Sequence, residues 1–527
     1  MVTDIAFPTL GELVSFIYDA TGVLTSKHAD DIGLTDTDIR TINRKLERLA
    51  DEEGNINAAL GESLRTLAGI VAGTIPDLRV VSAIGDVVLG VLDCYRDNLR
   101  EEGTYLNKSG TVRYLIAAHA AELVTAVVTM TVQRYNIGAL KYITPDCPDW
   151  YLPSISGNSI ESPLEKTLRW AYKVCDTTQT HFHYPGRSSL TDDIVARRNY
   201  DSATKWLQGT VIPTWSVLYW NIKTSFEKMA ACKAPEHRRT IDGKVQDSII
   251  TALFIARTSS YISREIVTHY GIDFLDRLVK QCRQYSHWIR QDSAAINNKV
   301  TSVLTASVYA EAISDQVWRR ESDAYWRNHY ERTVVCERVL MRHIQERNDG
   351  ADLTDLVPPL VERFGPLVVH SLINRLSATR RDEMPNQFPQ LLLTGLELRK
   401  NHKINVELID QYTTELRSFG VERYVPWMEP WLRGVLCYRE SDYSAAFKHI
   451  EEAFELSKYC AGGNLYKLVN LYVELAAKMD SWMSFKKGVQ WADYLGFEIR
   501  HIRHANASEE SMRSAFALFQ TVRYGDL

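Results

Sequence analysis

One short segment contains four side chains of the types that bind zinc: Cys175, Asp176, His181 and His183. Zinc requires about four such ligands in a fixed tetrahedral arrangement. The segment continues into Tyr-Pro-Gly at 184–186, a sequence typical of turns. A surface loop without metal is therefore the alternative, and it is the one we favour.

A second candidate is the pair His119 and Glu122, which lies three residues apart among Ala, Leu and Val. Such a pair on a helix can bind a metal ion inside a helical bundle, or it can satisfy a buried hydrogen bond. The sequence has no phosphate-binding loop, no dinucleotide fingerprint, no Gly-x-Ser-x-Gly and no His-Glu-x-x-His. We therefore expect no bound metal and no cofactor, and the sequence leans away from an enzyme.

Three arginine–histidine pairs are separated by four to six residues: Arg264 with His269, Arg338 with His343, and Arg363 with His370. This spacing resembles the motif of HEPN-type ribonucleases, in which the two side chains act on an RNA phosphate. The resemblance implies Arg264 and His269 as the catalytic pair, because they lie in a strong helical pattern. Three pairs are no more than chance produces with 14 histidines, so a structural role is the alternative.

The segment from Trp318 to Arg347 carries seven arginines together with Trp318, Tyr325, Trp326 and Tyr330. Arginines and aromatic rings in combination can bind RNA through phosphate contacts and base stacking. Glutamates and aspartates alternate with the arginines along the segment. We therefore expect ion pairs along a helix surface instead.

Residues 22–44 resemble a repressor-type helix-turn-helix. Ala29 would lie where the two helices cross, and Gly33 would adopt the left-handed turn. The resemblance implies DNA contacts from the exposed face of the second helix, through Arg40, Thr41 and Arg44. His28 stands where an aliphatic residue is usual, and Asp36 and Asp38 would repel phosphate. An N-capped helix in an ordinary bundle is the alternative.

The segment Pro430–Lys458 reads as a helical hairpin with small residues at Gly434, Ala446 and Ala453. This pattern resembles a tetratricopeptide repeat. Residues 464–497 look like a second, degenerate copy, and residues 390–418 like a third one around Gly395. The family implies a surface that binds peptides or proteins, and we assign Tyr438, Tyr443 and Trp482 to it. A generic helical bundle is the alternative.

The composition is that of a globular protein, with 45% apolar and 24% charged residues and a net charge of −5. A chain this close to neutral is not a bulk nucleic-acid binder, which leaves a local basic patch as the alternative. The N-terminus has no secretory signal pattern, and the eight cysteines are scattered without disulfide or zinc spacing. We expect a reducing cytoplasm and no membrane.

Helical periodicity dominates the chain, and from Ile272 to Asp349 there is neither Gly nor Pro. This stretch predicts one helix through Trp288 and a longer one from Asp292 towards Arg347. A proline at Ala310, inside the second pattern, is expected to cost about 3 kcal/mol.

The sequence thus predicts an all-α, multi-domain protein with parts at 1–143, 164–349 and 350–527, the last a stack of tetratricopeptide-like hairpins. The leading hypothesis is an interaction scaffold that self-associates and binds a protein or peptide. The first alternative is a protein that acts on nucleic acid, through residues 22–44 or through Arg264 and His269. The second is a helical structural protein such as a viral coat or nucleocapsid protein.

Overall fold

The computed structural model describes residues 5–25, 27–52, 55–135, 144–186, 192–306, 310–346, 355–378, 385–499, 502 and 508–521. Most of these residues lie in helices, which confirms the all-α prediction. The predicted domain limits at 143, 349 and 350 lie outside the described residues, and the division into three parts stays a prediction. The N-terminal helices are α1 (Leu10–Thr21), α2 (Asp36–Ala50), α3 (Ile56–Thr74), α4 (Leu78–Glu101), α5 (Lys108–Leu115) and α6 (Ala121–Tyr135).

A π-helical segment, Ile116–Ala120, joins α5 to α6 without a break. A small antiparallel hairpin follows, with strands β1 (Ser154–Ser156) and β2 (Ser159–Glu161) joined by a two-residue turn. The next helices are α7 (Pro163–Val174), α8 (Asp192–Leu207), α9 (Trp215–Ala230) and α10 (Gly243–Tyr270).

The stretch without Gly and Pro forms three helices in its described residues: α11 (Ile272–Asp292), α12 (Ala294–Ala306) and α13 (Ala310–Glu346). Its predicted helical character is confirmed, but the predicted second helix is divided. Residues 307–309, directly before Ala310, lie outside the described residues, so the cost expected for a proline at Ala310 stays a prediction.

The C-terminal part continues with nine helices in its described residues. They are α14 (Val357–Phe364), α15 (Pro366–Ala378), α16 (Phe388–Lys400), α17 (Val406–Ser418), α18 (Met428–Arg439), α19 (Tyr443–Ser457), α20 (Leu465–Lys478), α21 (Trp482–Leu495) and α22 (Glu509–Thr521). The largest apolar core draws side chains from α1–α4, from α7–α10 and from α16–α22. The C-terminal helices are thus packed into the body of the protein, where α21 contacts both α3 and α4.

A buried ion pair lies where the C-terminal helices meet the N-terminal part. The Lys458 ammonium, 4% exposed, contacts the carboxylates of Glu52 and Glu455, and the Tyr459 hydroxyl donates to Glu52. Burial lowers the pKa of Lys458, but the two carboxylates more than offset this and leave the pKa raised. The Phe7 amide donates to the Tyr459 carbonyl at 2.8 Å, so backbone pairing reinforces the same junction.

A second buried cation, the Arg257 guanidinium, caps the C-terminal end of α1. The Arg257 guanidinium, 3% exposed, donates to the carbonyl oxygens of Asp19, Ala20 and Pro213. The last carbonyls of a helix lack intrahelical partners and carry partial negative charge. Arg257 satisfies them from α10, and burial lowers its pKa to about 10.

One continuous helical stretch in the described residues, Lys108–Arg134, has the length and hydropathy of a membrane span. Its best window has a mean hydropathy of 1.7, and 33% of that window is buried in the protein. Core helices of water-soluble proteins have the same length and composition. The stretch packs here against α4, α11 and α15.

A pair of proline substitutions tests the assignment of α13. Ala324 is exposed in the middle of α13, so Ala324→Pro removes a backbone hydrogen bond without disturbing a core and should cost about 3 kcal/mol or more. Val406→Pro is the control, because Val406 is the exposed first residue of α17, and it should cost less than about 1 kcal/mol. The measurement is urea unfolding followed by circular dichroism, and equal losses in the two variants would contradict an uninterrupted helix around Ala324.

Candidate functional site

The predicted catalytic pair Arg264 and His269 lies on one uninterrupted helix, α10. Residues five apart in an α-helix point about 140° apart, because each residue advances about 100°. Arg264 is exposed, and His269, whose side chain is 63% exposed, faces Glu265 at 3.6 Å. The two side chains therefore do not converge on one phosphate within a single chain.

The other two arginine–histidine pairs are also separated. Arg338 and His343 have the same five-residue spacing on α13, while Arg363 ends α14 and His370 lies on α15. The His370 ring stacks on Trp288, with centroids 5.0 Å apart, and burial lowers its pKa. Its role in this arrangement is packing.

The segment at 22–44 has only half of the predicted helix-turn-helix. Gly33 adopts the left-handed conformation, with φ of 75°, and α2 begins with a capping box between Thr35 and Asp38. Between Gly22 and Gly33, the described residues contain a single 3-10 turn, Asp30–Ile32, and no first helix. The repressor-type geometry is therefore not present there.

The exposed face of α2 does carry the predicted residues Arg40, Thr41 and Arg44. The Thr41 hydroxyl donates to the Thr37 carbonyl of the same helix at 2.8 Å. Contact of these residues with DNA stays a prediction.

The predicted zinc-like segment forms a loop at the rim of an open cleft of about 630 Å³. Burial raises the pKa of the Cys175 thiol to about 12, which keeps it protonated at neutral pH. The His181 ring stacks on His237, and Asp176 pairs with Arg239 at 3.2 Å. Within the described ranges, no group of three or more His, Cys, Asp or Glu side chains is placed to hold a metal ion.

His119 and Glu122, by contrast, belong to a buried polar cluster beside the π-helical segment. Glu122 accepts hydrogen bonds from His329 of α13, at 3.0 Å, and from Ser371 of α15. Burial raises the pKa of Glu122, but the bonds from His329 and Ser371 outweigh this and leave it lowered. His119 turns instead towards the Tyr114 hydroxyl at 3.3 Å. Glu122 thus forms buried hydrogen bonds, as the second of the two alternatives for this residue predicts.

The C-terminal region consists of packed helix pairs, as the repeat-like pattern predicts. From α17 to α21 each helix packs against the next. A Cβ atom added to Gly434 would lie 2.6 Å from Ile450 of the partner helix, which explains the glycine there. Ala446 and Ala453 are fully buried in the same pair.

The turns of the α18–α19 and α20–α21 pairs share one conformation. Ser441 and Asp480 both have positive φ, and the next residue in each case donates to a carbonyl five residues back, at 3.0 and 2.8 Å. In the α20–α21 pair the close-contact glycine lies on α21, where Gly488 approaches Tyr472 and Val473 of α20. The pairs are therefore related but not identical units.

The predicted protein-binding tyrosines face inwards. Tyr438 has no exposed surface, and its hydroxyl donates to the buried Glu474 at 2.5 Å. Tyr443 is half-buried against the Tyr438 ring, beneath the Lys478 ammonium. Tyr438 cannot touch a partner in this conformation, so its assignment as a binding residue is corrected to a structural one.

Trp482 lies at the surface end of the stack, among exposed apolar side chains. Its ring is half-buried against Phe516 of α22, with Arg513 above it at 4.6 Å. Two apolar side chains beside the α20–α21 turn remain exposed: Met483 at 76% and Met479 at 38%. A hydrogen bond from Gln520 to Asp480 holds the end of α22 against this turn. We call Met479, Trp482 and Met483 the methionine patch.

The sequence pattern identified Trp482 but not its neighbours in the patch. Met479 and Met483 flank the turn and could have been noticed there, whereas the contact of Trp482 with Phe516 arises only through the packing of α22. Comparison of this chain with protein-family models, with curated proteins and with solved structures finds no match.

The buried cluster predicts a pH dependence of stability. Burial and the charge of Arg375 lower the pKa of His119 to about 4, against about 6.5 in the unfolded chain. The unfolded state therefore binds the proton at a higher pH than the folded state. The free energy of unfolding should decrease as the pH is lowered from 7 to 5, and His119 alone should account for about 2 kcal/mol of that decrease. Urea unfolding of wild type and His119→Gln at pH 7 and pH 5 measures the difference; identical pH slopes would refute it.

The tight packing of the α18–α19 pair can be tested by overpacking. Ala446→Leu inserts three carbon atoms into a fully buried site and should cost about 1–3 kcal/mol. Ala445→Leu, one residue earlier on the half-exposed side of α19, is the matched control and should change stability little. Thermal unfolding of the full chain measures both, and an unchanged Ala446→Leu protein would contradict the packing.

Proposed function

We propose that the protein is a cytoplasmic, non-catalytic interaction scaffold whose C-terminal helix pairs, of the tetratricopeptide type, bind a protein partner. The observation that carries the proposal is the methionine patch. Met483 leaves 76% of its side chain in water, although burying a methionine contributes about 1.5–3 kcal/mol. An unbranched thioether side chain adapts its shape to the apolar surface of a partner.

The form of the stack supports binding at its end rather than in a groove. Helix α20 is buried at every position from Leu471 to Ala477, because α19, α21 and α22 surround it. Helix α22 closes the stack and turns Glu509, Glu510 and Arg513 outwards, as a capping unit does in a repeat protein. The methionine patch is the apolar surface that this capping helix leaves uncovered.

Charge placed in the patch should abolish binding. Tagged wild type and Met483→Asp protein, purified from the native host, are compared by quantitative mass spectrometry. Leu393→Asp is the matched control, since Leu393 is 52% exposed on α16, outside the patch. We expect a protein that accompanies wild type and Leu393→Asp and is lost from Met483→Asp.

Self-association gives the second measurement, because the partner of one copy can be another copy. Light scattering during size-exclusion chromatography should then show a lower mass for Met483→Asp than for Leu393→Asp. Unchanged mass together with an unchanged set of accompanying proteins would refute the proposal.

A further inference from the structure

Helix α13 presents one face to solvent along most of its length. Five arginines lie on this outer face: Arg319, Arg320, Arg327, Arg338 and Arg342. Tyr330 lies among them with 69% of its side chain exposed. The cationic side chains and the ring share one side of the helix, because their spacings follow its 3.6-residue period.

The arginines were expected to be neutralised by acidic neighbours, and the structure shows little of this. Of the five, Arg320 forms an ion pair, with Glu321 at 2.9 Å. Among the described residues, Arg319, Arg327 and Arg338 form none. Three carboxylates share the face: Asp323, Glu331 and Glu337. The cations outnumber them, so the face attracts anions over its length.

The inner face of α13 holds the helix in place. Asp315 contacts the buried guanidinium of Arg134, and His329 contacts Glu122. Arg332 donates to the Phe364 carbonyl at 3.2 Å. These contacts anchor the inner face, and the outer arginines are presented from a fixed helix, which reduces the ordering cost of binding.

We propose that the outer face of α13 binds single-stranded nucleic acid, with Arg319, Arg327 and Arg338 on phosphates and Tyr330 stacked on a base. From Arg319 to Arg338 the helix rises by about 28 Å, a length that several nucleotides of an extended strand can follow. An acidic protein segment would use the arginines but not the ring. A duplex keeps its bases stacked on one another, whereas a single strand offers a base to Tyr330.

The first experiment measures binding of a fluorescent 12-nucleotide RNA of mixed sequence by polarisation, at 50–300 mM KCl. Three phosphate contacts on a single strand predict a slope of log K against log salt of about −2. The Arg319→Gln/Arg327→Gln/Arg338→Gln protein should bind at least tenfold more weakly, with a slope near zero.

A charge-matched control separates this face from net charge. Arg65→Gln/Lys400→Gln/Lys448→Gln removes three exposed cations on other helices, and it should bind RNA like wild type. Circular dichroism and thermal unfolding establish that both triple variants are folded. Equal weakening by the two triple variants, or no weakening by the α13 variant, would overturn the proposal.

The ring is tested separately. Tyr330→Ala should weaken binding about tenfold, whereas Tyr330→Phe, which keeps the ring, should bind like wild type. Unchanged binding by Tyr330→Ala would overturn the stacking assignment.

Two other ligands test the class of partner. A duplex of the same length and a 12-residue polyglutamate should each bind at least tenfold more weakly than the single strand. Equal binding of the duplex or of polyglutamate would show a general polyanion surface and overturn the assignment to single-stranded nucleic acid. These measurements do not involve the methionine patch. Their outcome is therefore independent of whether the proposed protein partner exists.

Discussion

The buried contact of Lys458 with Glu52 and Glu455 joins the N-terminal helices to the C-terminal ones. The arrangement of the C-terminal helices depends on this contact. Removing one partner of a buried ion pair costs about 3–5 kcal/mol, because the other charge is left without compensation. Here the ammonium also lies over the rings of Phe454 and Trp491. A single cation thus ties α19, α21 and the segment after α2 together.

Backbone contacts next to this ion pair fix the loop between α19 and α20. The Thr104 amide donates to the Cys460 carbonyl at 3.0 Å, and the Gly462 backbone packs so closely on Glu102 that a side chain would not fit there. The stack of helix pairs is therefore attached along its side to the N-terminal helices. Helices α3 and α4 also pack on α21, so this side of the stack is covered. The proposed protein-binding role is therefore assigned to the exposed end of the stack.

The parts of the fold that the sequence predicts correctly depend on short-range rules. The close approach at Gly434, the left-handed turn at Gly33 and the helices after Ile272 all follow from residue type and spacing within one or two turns. The packing of α12 against α13 was missed, because no Gly or Pro separates the two helices in the sequence. The burial of Tyr438 was also missed, because it depends on Glu474 from another helix. Candidate sites suffer most from this limit, since a pattern does not reveal which face of a helix its neighbours cover.

On helix α13, residues of the same types have different roles on the inner and the outer face. Neighbours in sequence, His329 and Tyr330, are 8% and 69% exposed: the first is held by Glu122, and the second projects into solvent. On the inner face, the α13 carboxylate of Asp315 contacts the guanidinium of Arg134 from α6, while the outward arginines keep their charge available. Alternating acidic and basic residues look neutral in sequence. In the folded protein, Asp315 pairs with Arg134 on the inner face, and Glu321 pairs with both Lys299 and Arg320. The arginines of the outer face therefore give it a net positive charge along the helix axis. A rigid cationic helix with an exposed ring is therefore a product of the packing around Glu122 and Arg134 as much as of its own sequence.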